Sequence, residues 1–328
     1  MSQKHPRVFR MGFYVVAAVV LAVLFVLSLQ LGTFGLGPSE IFQIIGNPDD
    51  ERYFSLVEYR LPRAVLAVLL GGALAVSGVL VQSVIRNPLA SPDILGISHA
   101  AGLVAVACLI FMPDMDFHWL PVFAFIGGLL SFVILRLVCG IHFKPVKMAV
   151  VGVALSALWE AVSQYLMLAN PVEINTAMLW LTGSLWGRSW DYLAVAVPWL
   201  LVLLPVPFFF ARDLDVMGLG ERKAATLGVP VDRIQLLILV FAVALATTAV
   251  AVSGPIAFLG LVCPHLARKL VGGRHSVLLP AAVLLGAVLL TLADILARVI
   301  DPPTELPAGI FTALVGAPYF FYLLMRTR

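Results

Sequence analysis

Apolar runs of about twenty residues, repeated along the chain with only short polar breaks, constrain this sequence more than any other feature. A bilayer needs roughly 20 apolar residues for each crossing helix. Runs near that length lie at about 12–31, 62–84, 93–112, 119–138, 148–168, 191–210, 235–253, 255–271, 278–300 and 307–325. Within the hydrocarbon every backbone amide must find its partner inside the chain, so runs of this length read as helices. The expectation is an all-α polytopic membrane protein of about ten spans, with residues 1–328 as one transmembrane domain. Only Ser253-Gly254-Pro255 parts the seventh run from the eighth, so nine spans is the alternative. The first run follows Lys4, Arg7 and Arg10 as a signal peptide would, but it is too long and no small-residue cleavage site follows; it reads as an uncleaved span.

Charge orients these spans. Charged residues make up only 12% of the chain, against roughly 25% in soluble domains, and the net charge of +3 gives no argument for a nucleic-acid partner. With the N-terminus cytoplasmic, five of the 21 basic residues fall outside: Arg52, Arg60, Arg63, Arg188 and Arg298. The others fall on inner segments, a strong positive-inside asymmetry. An even number of spans also brings the basic C-terminus, with Arg326 and Arg328, to the inner side.

The outer exceptions are informative. Arg60 and Arg63 flank Pro62, a residue favoured at the first position of a helix, so they stand at a helix N-terminus, where the dipole disfavours cations. Something else must favour them there. Arg298 follows Asp294 by one helical turn, a spacing that suits an ion pair. Two readings stand: headgroup contact or local pairing, and an outward basic patch for an acidic partner or an anionic substrate. The span that starts at Arg60 carries Gly71 with Ala75 and Ala73 with Ser77, the small-xxx-small spacing that lets helices approach closely. Asn87-Pro88 ends it, and Ser91-Pro92-Asp93 supplies a cap, a first-position proline and a first-turn acid for the next helix.

The longest inner segment, about 211–234, contains a short helix at 221–227, entered after Gly220 and stopped by Gly228 with Pro230 beyond. Such a helix at the inner face is either a docking element for a soluble partner or a plain connector. Two acids lie deep in spans, where they cost several kcal/mol unless they face a partner, cavity or pathway. Asp294 has Arg298 as a partner. Glu160, with Gln164 one turn on, has no charged partner nearby and faces either a permeation path or packing. Cys108, Cys139 and Cys263 are widely spaced and read as core residues, and His5, His99, His118, His142, His265 and His275 show no ligand spacing, so no metal site is expected. Ala75-Val76-Ser77-Gly78 recurs as Ala251-Val252-Ser253-Gly254, and Pro88 and Pro264 each follow ten residues later. If duplication lies behind this, five spans per half force the halves to be inverted. No G-x-x-x-x-G-K-[ST] occurs, so ATP, if it drives this protein, is bound by another subunit.

Five stretches carry a resemblance to a known family. Arg60 to Gly96, opening on RLPR and closing on RNPLASPDILG, resembles the signature of the permease subunits of iron-siderophore and vitamin B12 ABC importers. LWLTGSLW at 179–186, LGERKAATLG at 219–228, GPIAFLGLVCPHLAR at 254–268 and LADILARVIDPPTELPAGIFTALVG at 292–316 agree with it. The resemblance implies a type II importer permease of ten spans in a bacterial inner membrane, paired with itself or a paralogous permease around a central path. It implies a cytoplasmic ATPase dimer seated on a coupling helix formed by Leu219, Gly220, Glu221, Arg222, Ala225, Leu227 and Gly228. It implies a periplasmic binding protein whose glutamates meet Arg60, Arg63 and Arg298. No cofactor or catalytic residue is implied, and the cargo is a ferric chelate, ferric citrate or a ferric siderophore, with cobalamin or haem as the alternative. Glu160 is not explained by the resemblance. A proton-coupled secondary transporter using Glu160 and Asp294 is the reading from another class.

Overall fold

The computed structural model describes residues 7–32, 35–140, 145–172, 174–302 and 304–326; Lys4, His5, His142, Lys144 and Arg328 lie outside these. The chain runs through α1 (Arg7–Gln30), α2 (Pro38–Ile45), α3 (Leu61–Ile85), α4 (Ile97–Phe111), α5 (Leu120–Cys139), α6 (Pro145–Ala169), α7 (Ile174–Leu181), α8 (Trp190–Leu203), α9 (Val206–Phe209), α10 (Ala211–Met217), α11 (Glu221–Thr226), α12 (Val231–Ser253), α13 (Leu259–Val271), α14 (His275–Val299) and α15 (Ala308–Arg326). Inner and outer below are the ends assigned by the charge asymmetry.

Each of the ten apolar runs contains a helix, but two of them are shorter than a bilayer. Among the described residues eight helical segments are long and apolar enough to cross, α8 and α9 counting together. The third run is divided: Arg86 ends α3 at φ +56°, Pro92–Leu95 forms a 3-10 turn, and α4 starts after Gly96 at φ +78° with only 15 residues. The eighth is cut back to the 13 residues of α13 because Gly254 (φ +72°) and Phe258 (φ +68°) hold the intervening backbone out of the helix. Irregular backbone at membrane depth is tolerated where protein surrounds it, and Gly254, Ile256 and Leu259 are all buried. Sequence reading did not resolve α2, α7 or the π-helical turn Phe54–Arg60 that precedes α3.

The middle of the bundle is α3, nearly all of whose residues are buried, packed most extensively on α14 and also on α12 and α13. The small residues explain this arrangement. A Cβ on Gly71 would overlap the carbonyl of Gly286 in α14, one on Gly286 would overlap the carbonyl of Gly71, and one on Gly78 would overlap the carbonyl of Gly260 in α13. Ser77 donates its hydroxyl to the carbonyl of Ala242 in α12 at 2.6 Å. Without a hydrophobic drive between helices in lipid, such close backbone contact is the main source of packing energy. The repeated Ala-Val-Ser-Gly does not mark equivalent places: Gly78 lies inside α3, whereas Gly254 caps the C-terminus of α12.

The close approach gives a direct test. Gly286→Val should lower stability by about 1–3 kcal/mol or more, since the added carbons meet backbone that cannot swing aside. Gly12→Val in α1, where a Cβ would meet nothing within 4 Å, should leave the thermal midpoint of the purified protein unchanged.

Candidate functional site

The outer arginines converge on one buried cluster. Arg63 Nε donates to Asp294 Oδ1 at 2.9 Å and its Nη1 pairs with Glu305. Arg298 Nη2 lies 3.1 Å from Asp294 Oδ2, one turn away on α14. Tyr59, in the turn before α3, shares Glu305 through its hydroxyl. The C-terminus of α1 supplies the remaining partners. Arg60 Nη1 donates to the carbonyls of Leu29 and Gln30 at 2.9 and 3.1 Å, and Arg298 Nη1 to that of Ser28 at 3.0 Å. Those carbonyls end a helix and carry its negative dipole end, which favours cations. This is why Arg60 stands where α3 alone would disfavour it; Arg63 is offset there by Asp294 and Glu305, and Arg298 lies in the last turn of α14, where a cation is favoured. Sequence reading found the Asp294–Arg298 pair; it missed Arg63 as the second partner of Asp294, and Glu305 altogether. Of the two readings of the outer arginines, local pairing describes their surroundings in this chain: Arg60, Arg63 and Arg298 are 3%, 1% and 4% exposed, their donors turned inward to α1, Asp294 and Glu305.

Two chambers adjoin one backbone junction. Helix α7 turns back from the end of α6 and leads into Gly183 (φ +71°). There Ser184 N–H donates to the carbonyl of Ser253 at 2.7 Å and Gly309 N–H to the carbonyl of Gly183 at 2.9 Å. Only glycines fit: a Cβ on Gly183, Gly254 or Gly309 would overlap the carbonyl of Pro255, Trp180 or Thr182 respectively. On the outer side of this junction lies a chamber of about 750 Å³, bordered by Trp180, Trp186, Arg188, Tyr192 and Glu305. Toward mid-membrane lies a second, of about 420 Å³, bordered by Asp93, His99, Glu160, Gln164 and Thr182. Leu181 and Thr182 border the second chamber while Trp180 and Ser184 border the first. The apolar segment 174–182 closed by Gly183 is the sequence signal that could have located α7.

Glu160 sits on the exposed face of α6, its Oε1 accepting from Gln164 Nε2 at 3.3 Å. At the rim of the outer chamber His118 Nε2 lies 3.1 Å from Asp191 Oδ2 and its Nδ1 meets Asp116; these acids, Asp191 first, raise the imidazole pKa. Arg188 lies over the Tyr192 ring at 4.5 Å, and burial lowers its pKa. Among the described residues no three His, Cys, Asp or Glu side chains are placed to hold a metal ion.

At the inner end α11 forms as its punctuation dictates, after Gly220 at φ +108° and before Gly228 at φ +85°. Ala224 is buried beneath it, and Glu221 is tied to Arg86 at 3.0 Å and to Gln235 at 3.2 Å. Leu219 and Leu227 stand out at its two ends, 60% and 64% exposed, with Arg222 and Ala225 also exposed between them.

The pattern of the FecCD transport family matches residues 20–326. The chain belongs to that family. Among FecCD relatives it is 51% identical to the Fe(3+) dicitrate transport system permease protein FecD of Escherichia coli (strain K12), covering 85% of this chain and 87% of that one. It is 44% identical to the Fe(3+)-citrate import system permease protein YfmE of Bacillus subtilis (strain 168), covering 94% and 93%. A solved inward-facing conformation of a metal-chelate type ABC transporter superposes with a TM-score of 0.85 at 28% identity, covering 97% of this chain and 99% of that one. The FecCD fold seen here is thus the type II importer permease architecture, and the chain is a multi-pass permease subunit.

The two acids are separable by experiment. Asp294→Ala strands Arg63 and Arg298 and should cost about 3–5 kcal/mol, the usual loss when one partner of a buried ion pair is removed. Glu160→Gln, on an exposed face with a neutral partner, should shift stability by less than about 0.5 kcal/mol in the same thermal denaturation assay.

Proposed function

We propose that this chain is one of two permease subunits of an ATP-driven importer that moves a ferric chelate, ferric citrate or a ferric siderophore, from the periplasm to the cytoplasm by alternating access. The observation that carries this reading is the pair of chambers on either side of the Gly183 junction. A cargo in the outer chamber reaches the mid-membrane chamber once α7 and the 182–184 backbone shift, and the path never has to be open at both ends. The names of the relatives, which specify ferric dicitrate and ferric citrate, support the cargo. A second permease, the same chain or a paralogue, covers the exposed face of α6, because a bilayer would not accept Glu160 and Gln164 against its tails. Glu160 then lines the path between the two subunits. The chain is placed in a bacterial inner membrane with both termini cytoplasmic.

ATP is hydrolysed by a separate cytoplasmic ATPase dimer. The supporting feature is α11: Leu219 and Leu227 are apolar anchors for a groove, Gly220 and Gly228 set the helix at its angle, and Glu221, pinned by Arg86, ties its motion to the end of α3. Arg222 and Ala225 complete the docking face. On the outer side a periplasmic binding protein seats its acidic residues above Arg60, Arg63 and Arg298. These three cations outnumber Asp294 and Glu305, and their field steers an acidic partner even from beneath the surface. The competing proton-coupled reading loses one of its two acids, since Asp294 is held between two guanidinium groups.

Reconstitution of the permease pair with its ATPase and binding protein in proteoliposomes tests the whole reading. ATP-dependent accumulation of labelled ferric citrate or siderophore, in preference to cobalamin and haem, is expected; uptake that needs a proton gradient but no ATPase overturns it. Leu219→Asp with Leu227→Asp should uncouple ATP hydrolysis from uptake and weaken ATPase binding by at least about tenfold, the scale of losing buried interface anchors. Arg60→Glu or Arg63→Glu should weaken binding-protein docking, and charge reversal on the binding protein should restore it; docking unchanged by either would remove the arginines from that role.

A further inference from the structure

Among the described residues no carboxylate pairs with one cation at the border of the outer chamber. Arg188 Nε is buried and makes no hydrogen bond, and among the described residues no carboxylate pairs with the Arg188 guanidinium, which rests on the Tyr192 ring. The two acids bordering the same chamber are already engaged. Asp191 is held by His118 and by the Ser189 hydroxyl at 3.2 Å, and Glu305 by Arg63 and Tyr59. Burying an unpaired guanidinium is unfavourable unless an anion arrives to accept its fixed fork of donors. The surrounding Trp180, Trp186 and Tyr192 offer flat apolar faces with polar edges, and about 750 Å³ is in the range of small-molecule sites.

We infer that Arg188 is an anion subsite of the outer chamber, which takes a free carboxylate of a polycarboxylate metal chelate before the chelate passes the Gly183 junction. The site is distinct from the buried arginines beneath the outer surface: Arg63 and Arg298 are paired with Asp294, and Arg60 and Arg298 with the end of α1, whereas Arg188 meets Tyr192 and keeps its Nε for a ligand. It favours anionic chelates over neutral ones of equal size, because only the former offset the desolvated charge. The assignment of the ligand as transported cargo rests on the importer reading above, whereas binding itself does not.

The test uses the assembled transporter in lipid nanodiscs without its binding protein, followed by tryptophan emission, since Trp180 and Trp186 border the chamber. Sodium citrate and gallium(III) citrate, a redox-inert stand-in for the ferric complex, should each give a saturable change; a charge-neutral gallium(III) trihydroxamate should give none at the same concentrations. Arg188→Gln should weaken citrate binding by about ten- to a hundredfold, the scale of a lost charge-assisted hydrogen bond. Arg188→Lys, which keeps the charge without the fork, should fall between, and unchanged thermal midpoints should show that both variants are folded. Equal citrate affinity in the wild type and Arg188→Gln, no saturable signal in the wild type, or equally tight binding of the neutral chelate overturns the inference. If citrate binding depends on Arg188 but reconstituted uptake does not need ATP, the subsite stands and the importer reading fails. If citrate binding is unchanged in Arg188→Gln while ATP-driven uptake of ferric citrate is intact, the importer reading stands and the subsite fails.

Discussion

Close backbone approach of α3 to α14 and α13 is the constraint on which the rest of the structure depends. Gly71 against Gly286 and Gly78 against Gly260 bring helix axes nearer than any side chain would permit. In a bilayer this contact replaces the hydrophobic force that assembles soluble bundles. It also fixes the relative height of α3 and α14, and that height places Arg63 of one level with Asp294 of the other. A shift of one helical turn, about 5.4 Å, would break the Arg63–Asp294 pair and leave Asp294 with Arg298 alone.

The outer cluster and the chamber beside it show two ways of handling a cation near the outer surface. Arg60, Arg63 and Arg298 are partnered inside the chain, by Asp294, Glu305 and the last carbonyls of α1, and in return they tie α1, α3 and α14 together. Arg188, on the loop between α7 and α8, is supported by an aromatic ring rather than an acid. The first arrangement ties three helices together; the second leaves Arg188 Nε without a partner. Between them the Gly183 junction is held by backbone hydrogen bonds and by carbonyls packed on three glycines.

Much of this architecture was legible one segment at a time. Hydropathy placed a helix in all ten apolar runs, and Gly220, Gly228 and Pro230 located α11 to within a residue, because glycine at positive φ and proline after a helix act locally. The one-turn spacing of Asp294 and Arg298 gave their pairing for the same reason. The shortening of α4 and α13 was less visible, since apolar composition does not distinguish a helix from buried extended backbone. Helix α7 escaped because eight residues are too few to register as a span.

By itself, the sequence determined the class of protein, the apolar runs that hold its long helices and the short helix at 221–226, all of which depend on composition or on neighbours within a few residues. Only the tertiary structure decided what the charged residues do. Arg63 and Asp294 are 231 positions apart, Glu305 comes from another outer segment, and the carbonyls that bind Arg60 belong to the far end of α1. The two chambers are bounded by helices distant in sequence, and Arg188 becomes notable only once Asp191 and Glu305, the acids bordering its chamber, are seen to be engaged elsewhere. Periodicity and spacing report local geometry, whereas burial and pairing of charge are set by which helices meet, and at what height.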